Sequence, residues 1–160
     1  MAKKKEEKTN VMRILEQKKI PYTAHTYPAD GAVSGVEVAQ MLGQKPAQVF
    51  KTLVTRGASK SYYVFMIPVA EELDLKKAAR AAGEKSIAMI KSKELLPLTG
   101  YIHGGCSPIG MKKQFMTMAH FTVKDFSTVI FSAGKIGYQV ELSFENLCKV
   151  VPVGTADVTV

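Results

Sequence analysis

The sequence predicts an α/β fold of the α+β type: a mixed sheet, or partly closed β-barrel, with helices packed around it. Three observations predict it. Segments of strand character outnumber those of helical character. Several of the strands adjoin through short glycine-bearing turns. The 160 residues contain no repeat and no linker that would divide them. A chain of this length buries roughly 68–70% of its unfolded surface and needs no staple.

Residues 1–8, with the run Lys3-Lys4-Lys5-Glu6-Glu7-Lys8, read as a flexible basic tail, which leaves 9–160 as one domain. Thr9 or Asn10 caps a first helix that places Val11, Ile14 and Leu15 on one face and stops before Pro21. Tyr22 to Tyr27 alternates as a strand, and Pro28 to Gly31 breaks it. Ser34-Gly35-Val36-Glu37 is a capping box, opening a helix that ends at Gly43. Pro46 opens a short helical turn. Val49–Thr55 and Ser61–Ile67 are strands that pair antiparallel across an Arg56–Lys60 loop. Asp74 caps a helix ended by Gly83, with Lys76 and Lys77 pointing away from its apolar stripe. Ser86–Ile90 is a strand, and Ser92 begins a short helix ending near Pro97. Tyr101–Gly110 is a loop rich in Gly, Pro and Ser. Phe115–Met118, Thr128–Ser132 and Tyr138–Leu142 are strands, with a glycine turn at Ala133–Gly137. Ser143–Cys148 is a helical turn and Lys149–Val153 a last strand.

An apolar fraction of 46% and a charged fraction of 22% exclude a largely disordered, collagen-like or coiled-coil chain. Charge is less ordinary. Lys plus Arg number 22 and Asp plus Glu 14, a net +8, and the tail contributes little of the excess. Such a balance favours a polyanionic partner, most simply a nucleic acid. Cys106 and Cys148 match no zinc spacing and are too few for a disulfide framework, which points to a reducing, cytoplasmic setting. No apolar stretch follows the N-terminal lysines, and none reaches the roughly 18 residues of a membrane span. Neither a membrane, a metal nor a cofactor is expected.

Lys51 is the first candidate for chemistry. Alternation along Val49-Phe50-Lys51-Thr52-Leu53 puts Lys51 on one face with Val49 and Leu53. Either it snorkels at a sheet edge, or it reaches a pocket where it binds a phosphate or carbonyl oxygen. The second is the loop His103-Gly104-Gly105-Cys106-Ser107-Pro108-Ile109-Gly110, followed by Lys112 and Lys113. Adjacent glycines let backbone N–H groups approach an oxyanion or phosphate. Its spacing matches neither a Walker motif nor a dinucleotide fingerprint. Cys106 with His103 as nucleophile and base is a weaker alternative, since no third orienting group is evident. Ser132-Ala133-Gly134-Lys135-Ile136-Gly137 is a second glycine turn bearing a lysine.

Taken together, these segments resemble the YbaK-type Cys-tRNA(Pro) deacylases, in the superfamily of the editing domain inserted in bacterial prolyl-tRNA synthetases. The resemblance is carried by His25-Thr26-Tyr27, Gln48 to Leu53, Pro68-Val69-Ala70, Leu73 to Lys77, Thr99-Gly100-Tyr101, Gly104 to Gly110, Ser132 to Lys135, Gly137 and Glu141-Leu142. It runs from about Leu15 to Leu147. It implies a free-standing trans-editing enzyme, formally a lyase or ester hydrolase. Its substrate is aminoacyl-tRNA, tRNA(Pro) carrying cysteine, and prolyl-tRNA synthetase is an implied partner. The resemblance implies catalytic roles for Lys51, Gly104 and Gly105. It implies substrate binding by Tyr27, Thr52, Ser107, Pro108, Ser132, Gly134, Gly137 and Gln139. An aminoacyl ester is already activated, and the substrate's own thiol can attack its carbonyl, so no protein nucleophile is required. Family members often carry an acidic residue where this chain has Gln139; Glu141 is the carboxylate on the same strand face. The alternatives are a deacylase for alanine or serine, a non-catalytic tRNA-binding module of the same fold, and a Schiff-base enzyme using Lys51.

Overall fold

The polar caps read from the sequence set most helix starts in the computed structural model, which describes residues 8–29 and 34–160. The basic tail and the Gly31–Val36 entrance to the second helix lie wholly or partly outside the described residues. Helix α1 (Asn10–Gln17) begins at Thr9, whose hydroxyl accepts the Met12 N–H at 3.3 Å. It buries Val11, Met12 and Leu15. Helix α2 (Gly35–Met41) begins at Ser34, which accepts the Glu37 N–H. A 3₁₀ turn at Pro46–Gln48 leads into strand β2. Helix α3 (Leu75–Ala82) is capped by Asp74 and closed by a left-handed Gly83. Helices α4 (Ser92–Thr99) and α5 (Phe144–Val150) complete the set.

The strands are β1 (Thr23–Thr26), β2 (Phe50–Gly57), β3 (Tyr62–Pro68), β4 (Ile87–Met89), β5 (Met116–His120), β6 (Val129–Ser132), β7 (Tyr138–Leu142) and β8 (Val153–Ala156). They form two sheets. One is antiparallel, in the order β1-β7-β6; the other is mixed, in the order β4-β2-β3-β5-β8. Strands β2 and β3 form the expected hairpin, from Phe50↔Pro68 to Arg56↔Tyr62. Strands β3–β5 and β5–β8 pair parallel.

The main core lies between the sheets. Phe50, Val54, Val64 and Met66 from the mixed sheet meet Val129, Phe131, Val140 and Leu142 from the antiparallel one, with Val11 and Leu15 of α1. Each such side chain contributes about 1.5–3 kcal/mol on burial. The other face of the mixed sheet is covered by α3, where Ala78 and Ala79 pack on Phe65, Ile67 and Ile87. Helix α2 covers the junction of the two sheets through Ala39, Val49 and Ile130.

Four expectations are corrected. The sheets do not close into a barrel: among the described residues β2 and β6 are joined through a single parallel bridge, Val49↔Ile130, with no ladder beyond it. Helix α4 runs past Pro97 to Thr99, because buried Leu95 and Thr99 anchor the last turn and the Gly100 N–H caps Leu96 O. Residues 149–150 are helical, and the last strand starts after Pro152, which has no N–H for a ladder. Arg56 and Gly57 still belong to β2 rather than to the loop.

Candidate active site

Strand alternation sorts the chemistry-bearing residues onto faces. The core takes Phe50 and Val54 from β2, so Lys51 points the other way, beside Val49 and Leu53 and opposite Ile67. Lys51 is half-buried, and its ammonium has no hydrogen bond or ion pair among the described residues. Val49 and Ile130, joined by a parallel bridge and packed in one cluster, put the Lys51 face of β2 and the Ser132 face of β6 on the same side of the junction. Ser132 pairs with Gln139, and Gln139 with His25. The row His25–Gln139–Ser132 therefore crosses three strands, each about 4.8 Å from the next. It shares its face with Lys51. Tyr27 extends the same face, its N–H donating to Gly137 O at 2.9 Å.

Thr52 does not join this face. It turns toward the main core, and its buried hydroxyl has no partner. Gln139 is only 5% exposed. Its side-chain carbonyl accepts Gln44 Nε2 at 2.8 Å, while the buried Gln44 Oε1 has no donor. Glu141 is committed too: Oε1 meets His25 Nε2 at 2.7 Å and Oε2 accepts the Thr128 hydroxyl at 2.5 Å. Burial pushes the Glu141 carboxyl up, but the bonds from Thr128 and His25 outweigh it and hold the group below its ordinary value. Gln48 Nε2 in turn donates to the Thr128 carbonyl at 2.9 Å. Gln44, Gln48, His25 and Thr128 are thus site-face residues that the sequence reading did not single out as such. Register brings them together, and nothing in their local sequence signals it.

The two glycine segments pack on one another. A Cβ on Gly105 would lie 3.2 Å from Ile136 N, so a side chain here would push the 101–110 loop and the 133–137 turn apart by a few tenths of an ångström. Gly134 (φ +90°) sits against the Tyr101 ring, and Gly137 (φ +96°) turns the chain against Tyr27 O. The Gly105 N–H donates to Ile102 O at 3.0 Å, which removes it as an anion donor in this conformation. The N–H groups of Gly104, Cys106 and Ser107 have no acceptor among the described residues. Ser107 is fully buried and accepts the Ile109 N–H at 3.3 Å; Pro108 is buried beside it. Ser132 Oγ accepts the Gly134 N–H at 3.1 Å. Ser107 and Ser132 thus shape their loops through their hydroxyls.

The Cys106–His103 alternative fails on electrostatics. Burial pushes the Cys106 thiol up to about 12, far from a thiolate at neutral pH, and His103 is exposed. Burial, with Cys106 nearby, also pushes Tyr101 up to about 12; its hydroxyl donates to Ile109 O and braces the loop. Among the described residues no three His, Cys, Asp or Glu side chains gather as a metal site. No helix among them is long and apolar enough to cross a membrane. Two grooves elsewhere, around Tyr62–Phe115 and Met118–Val153, contain neither Lys51 nor the row beside it. The candidate residues lie at the junction between the sheets, away from those grooves.

Comparison with known proteins bears on the family and the fold. The chain is 45% identical over 161 aligned positions to the Enterococcus faecalis protein named "Putative Cys-tRNA(Pro)/Cys-tRNA(Cys) deacylase EbsC", covering 99% of this chain and 98% of the relative. It is 29% identical over 102 residues to a proline–tRNA ligase of Kosmotoga olearia, of which the match spans 17%. Among solved structures, one described as "a putative trans-editing enzyme for prolyl tRNA synthetase" superposes with a TM-score of 0.83 at 24% identity, covering 94% of each chain. The hypothetical protein APE2540 superposes with a TM-score of 0.84 at 20% identity, over 94% of this chain and 99% of that one. These two likenesses establish the fold. The model of the aminoacyl-tRNA editing domain matches residues 30–150, and the chain belongs to that family.

Proposed function

We propose that this chain is a free-standing deacylase that removes cysteine mischarged on tRNA(Pro). Lys51 carries the chemical part of this reading: an unpartnered ammonium among the described residues, flanked on its own face by Val49 and Leu53, on the face that Ser132 and Gln139 share. Keeping a charge half-buried without a partner costs stability, which a structural role would not require. The full-length likeness to a relative named for Cys-tRNA supports cysteine as the amino acid.

Lys51 faces the ester and polarises its carbonyl, or holds the phosphate of the 3′-terminal nucleotide. The undonated N–H groups of Gly104, Cys106 and Ser107 supply dipoles for the developing oxyanion, with Gly105 setting the loop's approach. Tyr27, Ser132, Gly134, Gly137 and Gln139 shape the amino-acid pocket; Thr52, Ser107 and Pro108 act from behind it. The substrate thiol attacks its own ester carbonyl. A sulfur–carbon bond forms, the bond to the ribose oxygen breaks, and the thiol proton ends on that oxygen. Cysteine leaves as a cyclic thiolactone, so the protein supplies no nucleophile. Residues 9–160 act as one editing domain, with aminoacyl-tRNA as substrate and prolyl-tRNA synthetase as the partner that delivers it in the cytoplasm.

The test is deacylation of Cys-, Ala-, Ser- and Pro-tRNA(Pro) by the wild type and by Lys51→Ala. Selective loss of the cysteinyl ester, absent in the variant, is the expected result. Turnover of the alanyl or seryl ester instead moves the amino acid. Silence on all four, with salt-dependent tRNA binding retained, leaves a binding module.

A further inference from the structure

At the end of the β2–β3 hairpin away from Lys51, an open groove of about 460 Å³ is lined by Lys60, Tyr62 and Tyr63 together with Lys113 and Phe115. The hairpin pairs Lys51 with Ile67 and Arg56 with Tyr62. At about 3.3 Å per residue, the groove begins roughly 17 Å along the strand from Lys51. Phe115 is buried and tilts against Tyr62, with ring centroids 5.6 Å apart, which leaves half-buried Tyr62 as the ring a ligand can reach. The Tyr62 hydroxyl has no hydrogen bond among the described residues, and the exposed ammonium groups of Lys60 and Lys113 have no ion pair there. Glu84 reaches this end of the hairpin, but its oxygens are occupied by the Ser59 N–H at 3.1 Å and by the hydroxyls of Ser59 and Tyr63. Lys60 stands at φ +74°, in the left-handed region where glycine or asparagine sits with less strain. The turn thus holds a cation where the backbone does not favour one. The sequence adds to the bias: no acidic residue lies between Glu37 and Glu71, nor between Glu94 and Asp125.

We propose that this groove is a docking surface for RNA, in which Lys60 and Lys113 bracket the phosphate backbone and a base stacks on Tyr62. The inference rests on the deacylase reading only for which RNA is bound, the tRNA whose ester lies at Lys51. Lysines set around an aromatic ring suit unpaired nucleotides. The ammonium groups release counterions from the phosphates, and the ring offers a face to any base. An acidic polypeptide would satisfy the lysines but not the ring, which favours RNA. The aminoacyl ester of a single nucleoside is too short to join the two places, whereas about five stacked nucleotides at about 3.4 Å each cover the distance. One segment borders both. Gly105 packs on the 133–137 turn beside the candidate site, and the chain that follows it carries Lys113 into the groove.

The experiment follows the anisotropy of labelled, uncharged tRNA(Pro) from roughly 50 to 200 mM salt, and so needs no turnover. The double variant Lys60→Gln, Lys113→Gln should lower the slope of log K against log salt by about 1.4–1.8 and bind about ten-fold more weakly at the low-salt end. Tyr62→Leu keeps an apolar contact with Phe115. It should weaken binding about ten-fold without changing the slope, and Tyr62→Phe should restore it. Poly-glutamate should compete far less well than an RNA of equal charge. Cleavage of the cysteinyl ester of adenosine should be the same in every variant, while kcat/KM for Cys-tRNA(Pro) falls with affinity. Unchanged affinity and slope in the double variant overturn the groove, and so does a Leu variant that binds like wild type. Poly-glutamate competing as strongly as RNA overturns it in favour of an acidic protein partner. Variants that slow the adenosine ester as much as the tRNA ester mark a structural role and overturn it too. Wild type that shows the binding effects but cleaves no aminoacyl-tRNA keeps the groove and removes the deacylase reading.

Discussion

Replacing Lys51 by methionine separates chemistry from folding more cleanly than any other change in this chain. Lysine at this position loses no hydrogen bond and no ion pair on substitution, because none is present among the described residues. Methionine is unbranched and of similar length, so it stays on the surface formed by Val49, Leu53 and Ile67. Burying about one more methylene equivalent there is worth roughly 0.8 kcal/mol. The expected change in stability is therefore between zero and about 1 kcal/mol in the stabilising direction. At a urea slope of roughly 2 kcal/mol/M, the midpoint rises by at most about 0.5 M. Activity should move the opposite way. Losing one positioned donor to a developing oxyanion costs about 2.7–4 kcal/mol, or 10²–10³ in rate. Urea unfolding followed by tryptophan-free far-UV CD, with single-turnover deacylation of Cys-tRNA(Pro), reads both. A variant destabilised by more than about 1.5 kcal/mol would mean that Lys51 has a structural partner after all. Deacylation near the wild-type rate would remove Lys51 from the chemistry.

Three further outcomes are expected. Gly105→Ala drives a Cβ to 3.2 Å from Ile136 N, a backbone atom that cannot rotate away, so the two glycine segments must part. Stability should fall by about 1–3 kcal/mol and deacylation by more than stability explains; an unchanged rate uncouples the loops from turnover. Glu141 has a folded-state pKa below its unfolded value, so its contribution is present above the unfolded value and fades as pH falls through the folded one. The stability gap between wild type and Glu141→Gln should thus be widest at neutral pH and close in acid, and urea midpoints that keep a constant gap down to about pH 3 contradict this. Finally, iodoacetamide at mildly alkaline pH should label exposed Cys148 and spare Cys106, whose thiol burial pushes up to about 12, and Cys106→Ser should still deacylate. Native-state labelling of Cys106 would show that the loop opens.

Much of the fold was legible because local signals agreed with one another. Thr9, Ser34 and Asp74 announced helix starts through side-chain oxygens that do cap them. The β2–β3 hairpin followed from two branched, aromatic runs around one turn. What failed was non-local. Closure of the barrel depends on whether β2 and β6 form a ladder, and a strand's sequence does not state how far its neighbour follows it. Pro97 read as a stop because an isolated helix would end there; the burial of Leu95 and Thr99 overrode it. The face of Lys51 was readable from alternation alone, and the same rule places Thr52 on the opposite side. The occupation of Glu141 was not readable, since His25 lies 116 positions away in the chain. Gln44 escaped notice for the same reason: its partner is 95 positions distant.

The pairing of β1 with β7 bears on how the protein is made. Ser132 and Gln139 pair locally across the 133–137 turn, whereas Thr23–Thr26 acquires its neighbour only when Tyr138–Leu142 is available. Contacts this distant along the chain are slow to close and are rewarded late. A ribosome delivers Tyr27 and Lys51 early, yet the surface that gives them meaning appears only after most of the polypeptide has emerged. Products of premature termination before Leu142 would carry the lysine without its surroundings. They would be unable to discriminate among aminoacyl esters and, for the same reason, unable to cleave correctly charged tRNA.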